Sequence, residues 1–402
     1  MNKRRWRHIA AAAVIVAIVA GLSTAVAAAR PHSSGKADVK VGIVYSRTGA
    51  LKDFGAEYIE GFQLGLKYLT NGTNTVNGHK LAITIVDDGT DAAKAVAAGK
   101  DLIGQGFKII AGSTSSGIAL QMAPLAAQNN ILFISGAAAS DAITGINRNT
   151  FRSGRQSYQD VLDAANLLPP KTVGKKVVVF AEDTAFGASN VNAVTGVFGG
   201  KGHTVSKILV PFGATDLTPF AQQLKNANAD LVFVAWAGPN APQMWQALQQ
   251  QGVPTSTDVV TGLAQRNTYP TFGPVAAGLK LISHYVYQAP KNKVNDWLVQ
   301  TMRKRNQVPA IFTPDGFVTA QLIVHAVQTA DGDDVGKMIS ALENYKFVGP
   351  KGPQRIRPED HAMLQPMFQV QLVKQADGKY SPKVLKTVSP GNVQPPVKAF
   401  PS

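Results

Sequence analysis

The sequence contains no cysteine, and this absence excludes several classes of protein. A disulfide framework, a thiolate nucleophile, a cysteine-ligated metal and a lipid-modified cysteine all require a residue that the chain lacks. Charged residues are also scarce, at 16% of the 402 residues, whereas hydrophobic residues reach 45%. This balance is typical of a globular protein and argues against disorder. At about 150 residues per domain, the length predicts two or three domains.

Long hydrophobic runs are absent except at the N-terminus. Four basic residues between Lys3 and Arg7 precede an apolar stretch at 9–21, and small residues follow at 25–29. This order predicts a secretory signal over residues 1–29, and therefore an exported protein in the periplasm or at the outer face of the cell membrane. The uncharged run is just long enough to span a bilayer, so an uncleaved anchor is the alternative. Without cysteine the protein cannot be a lipoprotein.

The positive charge of the sequence is large but scattered. Lysine and arginine number 40 against 25 acidic residues, for a formal charge of +15. The densest group, at 303–305, lacks the interleaved aromatic residues of a surface that binds single-stranded nucleic acid. We therefore expect no nucleic-acid partner. The charge is interpreted as a property of the exterior, useful beside an anionic envelope or for solubility.

Short apolar runs alternate with segments of helical periodicity from residue 38 to about residue 260. Strict alternation of strand and helix predicts parallel sheets with right-handed crossovers. The alternation of strands and helices begins again after Arg155, so the predicted fold class is α/β with two doubly wound units. The predicted strands are 39–45, 81–86, 108–111, 131–134, 176–180, 205–210, 230–234 and 258–260. After a further strand at 279–287, the sequence predicts three helices, a strand pair at 364–373 and 380–387, and an extended tail from residue 391.

No motif in the sequence assembles a catalytic site. The chain has no GxSxG nucleophile elbow, no phosphate loop ending in GK[ST] and no HExxH. Asp87, Asp88 and Asp91 form the most metal-like group, but adjacent residues of a strand face opposite sides, which favours a role at the strand end. We therefore expect neither enzymatic activity nor a metal or other cofactor.

Two loops of small residues follow neighbouring predicted strands. Residues 111–117 read Ala-Gly-Ser-Thr-Ser-Ser-Gly and precede a helix, so their hydroxyl and free backbone N–H groups suit a carboxylate. The alternative is that Ser115 or Ser116 only caps the helix. Residues 135–140 follow the next strand and leave room for a ligand against the backbone. Two such loops at one sheet edge predict a binding site.

Short motifs along residues 38 to about 385 occur in an order typical of one family. They are Val41-Gly42-Ile43, Thr48-Gly49-Ala50, Phe54-Gly55, Glu60-Gly61-Phe62, Asn77-Gly78, Asp87-Asp88-Gly89, the loops at 113–117 and 137–139, Phe151-Arg152-Ser153, Tyr158-Gln159, Phe186-Gly187 and Gly349-Pro350. This set resembles the leucine/isoleucine/valine-binding proteins, which are type I periplasmic substrate-binding components of ABC importers. No single motif is specific, but the ordered set is.

The resemblance implies a type I periplasmic-binding-protein fold, in which two Rossmann-like lobes close on a ligand. The chain would cross between the lobes three times, near residues 151–155, 283–287 and 347–351, and these segments form the hinge. The implied lobes are interleaved. Lobe 1 comprises 38–151 and 286–347, lobe 2 comprises 152–285 and 348–390, and the tail comprises 391–402.

The resemblance also implies a set of ligand-binding residues. Its carboxylate site falls on the serines at 115 and 116, whereas Ala139 stands where the family usually has a threonine for the ligand ammonium. No acidic residue lies near Leu263, where amino-acid binders commonly place one, so we predict a nearly neutral cleft with an aromatic wall. Core packing is the alternative for the aromatic residues. The predicted site comprises Phe54, Ser115, Ser116, Ala137, Ala138, Ala139, Ser140, Phe186, Trp236 and Leu263.

These departures from the family pattern favour a small carboxylate with an apolar or aromatic body as the ligand. The implied function is capture of this ligand outside the cytoplasm and delivery to the membrane permease of an ABC importer. A branched-chain amino acid is the alternative ligand. The same clamp also serves as the sensing domain of signalling systems, and a secreted hydrolase is a third class.

Overall fold

A computed structural model describes residues 36–167, 172–272, 275–276 and 278–401 of the chain. The predicted signal at 1–29 lies outside the described residues. Among the helices of the described part, none combines the length and the hydropathy that a membrane span requires.

The strands of the described residues form two large sheets and one small sheet. The first sheet has the order β2-β3-β1-β4-β5-β6, the second has the order β16-β15-β11-β10-β9-β7-β8, and the small sheet has the order β12-β13-β14. The strands are β1 (Val39–Tyr45), β2 (Thr75–Val76), β3 (His79–Asp87), β4 (Ile109–Gly112), β5 (Leu132–Ser135), β6 (Thr150–Arg152), β7 (Lys176–Asp183), β8 (Thr204–Pro211), β9 (Leu231–Ala235), β10 (Asp258–Gly262), β11 (Leu279–Ser283), β12 (Lys346–Gly349), β13 (Gly352–Ile356), β14 (Met363–Leu364), β15 (Met367–Lys374) and β16 (Tyr380–Val388).

Helices connect the strands and cover the sheets. Strands β3, β1, β4, β5 and β6 are parallel, as are β8, β7, β9, β10 and β11. This arrangement confirms the predicted doubly wound α/β fold. The helices are α1 (Lys52–Leu69), α2 (Ala92–Gly104), α3 (Ser116–Gln128), α4 (Ser157–Ala165), α5 (Ala185–Val194), α6 (Thr218–Asn226), α7 (Ala241–Gln250), α8 (Val253–Ser256), α9 (Tyr269–Phe272), α10 (Lys293–Arg303), α11 (Thr313–Ala330) and α12 (Val335–Leu342).

The first sheet is covered by a close pair of helices, α1 and α11. A Cβ atom on Gly61 would lie 1.8 Å from the carbonyl oxygen of Thr313, and one on Gly316 would lie 1.8 Å from the carbonyl oxygen of Tyr58. These two glycines therefore let the backbones touch. The contact fixes α11, which comes late in the sequence, against the first strands of the chain.

The second sheet differs from the prediction at one strand and at the tail. The antiparallel pair β15 and β16 confirms the predicted terminal strands. The apolar pattern predicted a strand to residue 287, but β11 ends at Ser283. The chain turns out of the sheet there, because the Ser283 hydroxyl donates to the carbonyl of Tyr285. The tail begins with a 3₁₀ turn at Pro390–Val393, where an extended chain was predicted.

The chain passes between the two large sheets three times. It leaves the first sheet after Arg152, returns to it after Ser283 through α11, and leaves it again before β15. Ile356 and Met363 pack in the core of the first sheet, although the predicted boundary after residue 347 assigns them to lobe 2. The exact lobe boundaries stay a prediction.

Candidate ligand-binding site

A cavity of about 590 Å³ lies at the carboxyl ends of strands from both large sheets. Loops after β4 and β5 of the first sheet contribute to its lining, and so do loops after β7, β9 and β10 of the second sheet. Open α/β sheets bind ligands at this edge, because helix N-termini and loop side chains converge there. The volume suits a small organic molecule.

The cavity brings together eight of the ten predicted site residues. They are Phe54, Ser115, Ser116, Ala137, Ala139, Phe186, Trp236 and Leu263. The other two, Ala138 and Ser140, do not line it. Ala138 is buried in the core around α3, and the hydroxyl of Ser140 accepts the N–H of Ala142 at 3.3 Å. Side chains alternate in direction along an extended segment, so the loop presents only every second residue to the cavity.

The serine loop, residues 113–117, follows β4 and includes the first two residues of α3. The Ser115 hydroxyl accepts the N–H of Ile118 at 3.5 Å and caps the helix, which was the alternative role in the sequence analysis. The Ser116 hydroxyl accepts the N–H of Ser140 at 3.1 Å and ties the two small-residue loops together. The first N–H groups of α3 have no acceptor within the helix, and they add a partial positive charge at the cavity.

Aromatic side chains form much of the remaining wall. Phe54 packs edge-on against Phe312 with ring centroids 4.9 Å apart, and Trp236 stacks on Phe180 at 5.6 Å. Phe54, Phe186 and Trp236 are half-buried and pack against hydrophobic clusters of the interior. They therefore combine the two roles considered from the sequence, because they support the core and also face the cavity.

Arg155 places a guanidinium on the cavity wall, and the sequence interpretation missed it. Its Nε donates to Asp160 Oδ2 at 3.2 Å, and its Nη1 donates to the carbonyl of Ala137 at 3.3 Å. The guanidinium carbon lies 5.7 Å from the ring centroid of Phe312. Within the described part of the chain, no acceptor pairs with Nη2. A planar guanidinium with unused N–H groups suits a carboxylate ligand.

The cavity also carries acidic side chains, so the prediction of an uncharged aromatic wall is wrong. Asp53, Asp160 and Glu182 line it. Glu182 is the last residue but one of β7, and its Oε2 accepts the N–H groups of Ala237 and Gly238 at 2.8 and 2.9 Å. Burial raises the pKa of both Asp160 and Glu182 above the ordinary carboxyl range. These acids are far in sequence from Leu263, the position near which the family pattern places an acidic residue.

Charged side chains from four separate segments meet next to the cavity. Arg155 follows the first passage, His284 lies on the second, Asp315 lies on α11, and Lys351 lies in the turn between β12 and β13. Lys351 Nζ contacts Asp315 Oδ1 and donates to Gln365 Oε1 at 3.0 Å. The side chains of Lys351 and Asp315 are fully buried. We call Arg155, His284, Asp315 and Lys351 the hinge cluster.

Glu57 on α1 contacts two residues that line the cavity. Its Oε1 accepts the side-chain N–H of Gln265 at 3.0 Å, and its Oε2 accepts the backbone N–H of Phe312 at 3.2 Å. Burial raises the pKa of Glu57 to about 7, although these hydrogen bonds and Arg266 lower it. Because Gln265 follows β10, this contact connects α1 to a loop of the second sheet.

Substitution E57Q is expected to change how stability depends on pH. Because the pKa of Glu57 is raised in the folded protein, the folded state binds this proton more tightly than the unfolded state does. The resulting stabilisation is complete below pH 4.5 and is lost as the pH rises through about 7. The variant should therefore gain stability relative to the wild type between pH 5 and pH 8, by at most about 3 kcal/mol. Urea unfolding at both pH values measures this gain, with E359Q at an exposed position as the control. An equal difference at the two pH values would contradict the prediction.

Asp87 and Asp88 organise the end of β3, in agreement with the strand-end interpretation. Asp87 Oδ1 accepts backbone N–H groups, among them those of Thr48 at 3.1 Å and Gly89 at 2.8 Å. Asp88 Oδ1 accepts the Ser46 hydroxyl at 2.7 Å. Within the described residues, the histidine and acidic side chains form no group that could hold a metal ion.

Comparison with known proteins relates this architecture to one family. Residues 38–379 match a family model described as periplasmic binding protein. A Leu/Ile/Val-binding protein homolog 6 of Brucella melitensis is 25% identical over 362 residues, which cover 87% of this chain and 91% of that protein.

Solved structures share the fold over almost the whole chain. An ABC-type branched-chain amino acid transporter protein of Rhodopseudomonas palustris CGA009 is 30% identical, with a TM-score of 0.76 over 90% of this chain and 100% of that one. An R. palustris solute-binding protein in complex with 4-hydroxybenzoate is 23% identical, with a TM-score of 0.79 over 88% and 97% of the two chains. At 23% identity the likeness concerns the fold alone. The family model spans most of the sequence, and the chain therefore belongs to the periplasmic binding protein family.

Proposed function

We propose that this protein captures a small organic carboxylate with an apolar or aromatic body and delivers it to the membrane permease of an ABC importer. The observation that carries the proposal is the Arg155 guanidinium on the wall of an aromatic-lined cavity. Membership of the periplasmic binding protein family supports the transport role and a location outside the cytoplasm.

The carboxylate end of the ligand would lie against Arg155 and the N-terminus of α3. Arg155 offers N–H groups that Asp160 and Ala137 leave unused, and Ser116 and Gly117 bring the first turn of α3 to the same cavity. A hydrogen bond between charged groups contributes about 1.5–3 kcal/mol. The helix N-terminus adds a smaller favourable interaction with a negative charge.

The body of the ligand would pack on the aromatic wall. Phe54, Phe186 and Trp236 are joined there by the aliphatic side chains of Leu263 and Ile311. Burial of a benzene ring contributes roughly 3 kcal/mol from the removal of apolar area from water. The R. palustris neighbour that holds 4-hydroxybenzoate shows that this fold accommodates such a molecule.

A branched-chain amino acid is the second candidate, and Glu182 is the observation that favours it. A ligand ammonium requires an acidic partner when it leaves water, and Glu182 supplies a carboxyl group on the cavity lining. The Leu/Ile/Val-binding protein homolog of B. melitensis is consistent with this candidate. Against it, Glu182 already accepts two backbone N–H groups, and burial raises its pKa.

A thermal-shift panel on the exported chain distinguishes the two candidates. We expect benzoate and 4-hydroxybenzoate to raise Tm by several degrees, because a ligand at a hundred times its Kd stabilises the folded state by about 2.7 kcal/mol. Methyl benzoate is the matched control, because it keeps the ring and removes the charge, and we expect no shift from it. Stabilisation by leucine or valine without any effect of the aromatic acids would refute the proposal in favour of the second candidate.

A further inference from the structure

The C-terminal tail runs from the second large sheet to the first. Val393 packs with Met367, Val388 and Leu162, which belong to β15, β16 and α4 on the side of the second sheet. The residues that follow, 394–400, contact the side of the first sheet instead, and we call them the strap. The strap lies beyond residue 379, where the match to the family model ends.

Arg357 holds the first part of the strap. Its Nη1 donates to the carbonyl of Pro395 at 2.7 Å, and its Nη2 donates to the carbonyl of Pro396 at 3.0 Å. Arg357 is itself buried and paired with Asp360, whose Oδ2 accepts the backbone N–H of Lys398 at 3.0 Å. Arg357 directly follows β13, and the last residue of β13 packs in the core of the first sheet. These contacts therefore attach the strap to the first sheet.

The end of the strap lies against the segment between β5 and β6 of the first sheet. A Cβ atom on Gly145 would lie 2.0 Å from the carbonyl oxygen of Lys398, so the two backbones touch. Phe400 packs edge-on against His361 with ring centroids 4.6 Å apart, and His361 stacks on Phe151 of β6 at 3.7 Å. Backbone contact and aromatic packing thus extend the attachment to a second part of the first sheet.

The strap has little slack between its two attachments. Gln394 alone separates Val393, on the second sheet, from Pro395, on the first, and three successive Cα atoms span at most about 7 Å. Glu57 contacts Gln265 across the cavity, so the described arrangement is one in which the two sheets have closed. A rotation that opens the cavity displaces the two attachments relative to each other, and the single intervening residue cannot absorb a large displacement.

We propose that the strap restrains the opening of the cavity and thereby favours the closed arrangement of the two sheets. It adds a noncovalent connection to the three passages of the chain. The apparent Kd of a two-state protein equals the intrinsic Kd divided by the fraction of molecules in the binding-competent state. A strap that raises this fraction therefore strengthens the capture of any ligand that bridges the two sheets, whatever the chemistry of that ligand.

Distances between two spin labels on the ligand-free full chain test the restraint. The chain has no cysteine, so the pair K52C and T215C takes two labels only. Both positions are exposed, and they lie near Leu51 and Phe212, which line the cavity from opposite sheets. Insertion of Gly-Ser-Gly-Ser after Gln394 keeps every attachment residue and adds about 10 Å of slack. We expect pulsed electron paramagnetic resonance to show one short distance without the insertion, and an added population several ångströms longer with it.

Two further measurements separate the strap from a general effect on the fold. The same insertion after Gly378, in the exposed turn between β15 and β16, should leave the distance between positions 52 and 215 unchanged. Labels at D101C on α2 and V397C on the strap should give one narrow distance, and this measurement needs no insertion to fold.

Three results would overturn the inference. They are identical distances between positions 52 and 215 with and without the strap insertion, an equal shift with the control insertion, and a broad distribution between positions 101 and 397. All distances are measured without ligand, so failure of benzoate to bind refutes the proposed function and leaves the strap unaffected.

Discussion

Substitution R155Q will weaken the binding of aromatic carboxylates about a hundredfold. Arg155 is the cationic side chain on the described cavity wall, and its loss leaves the ligand carboxylate with helix N–H groups alone. Removal of one partner from a buried, hydrogen-bonded charge pair costs about 2–5 kcal/mol, and 2.8 kcal/mol corresponds to a hundredfold change in Kd. Titration calorimetry with benzoate at pH 7 measures the loss.

Two further variants test the role of Arg155, one at the same position and one at the surface. R155K keeps the positive charge but not the planar fork, so it should fall between the wild type and R155Q. R148Q removes a guanidinium that pairs with Glu343 at the surface, and it should bind benzoate as the wild type does. Urea unfolding checks that R155Q folds, since the variant also leaves Asp160 without its partner. Benzoate affinity unchanged in a folded R155Q would show that the carboxylate binds elsewhere.

The fold was predictable from the sequence because the central parallel strands are apolar and alternate with helices. Strands such as β1 and β7 are buried on both faces, and their continuous apolar runs gave their position within a few residues. Burial alone does not identify a strand, however. Tyr285 and Val286 are 1% and 3% exposed but lie beyond the end of β11, so the apolar pattern predicted a strand that was too long.

The candidate site was only partly predictable, because its charged residues meet through tertiary structure. The two small-residue loops were found from their composition and from the shared edge of β4 and β5. Arg155, Glu182 and His284 belong to no local motif, and each comes from a different segment. The hinge cluster forms only because the late segments that carry Asp315 and Lys351 pack beside Arg155 and His284. No periodicity in the sequence predicts that contact.

Substitution K351M will destabilise the protein more than any change at an exposed charge. Lys351 is fully buried and contacts the equally buried carboxylate of Asp315, so its removal leaves a negative charge inside the protein. Breaking one partner of a buried ion pair costs about 3–5 kcal/mol. Urea unfolding at pH 7 measures the loss. K280M is the matched control, because Lys280 pairs with Asp258 at the surface, and it should cost less than about 1 kcal/mol.

The pH dependence of the K351M variant provides an independent check. Burial already raises the pKa of Asp315, while Lys351 lowers it, so loss of the lysine lets the pKa of this carboxyl rise further. A carboxyl with a raised native pKa stabilises the fold increasingly as the pH falls. The deficit of K351M should therefore be smaller at pH 5 than at pH 8, and D315N in the same chain should recover part of it. A deficit no larger than that of K280M, or one that grows as the pH falls, would show that the buried pair does not hold the hinge cluster together.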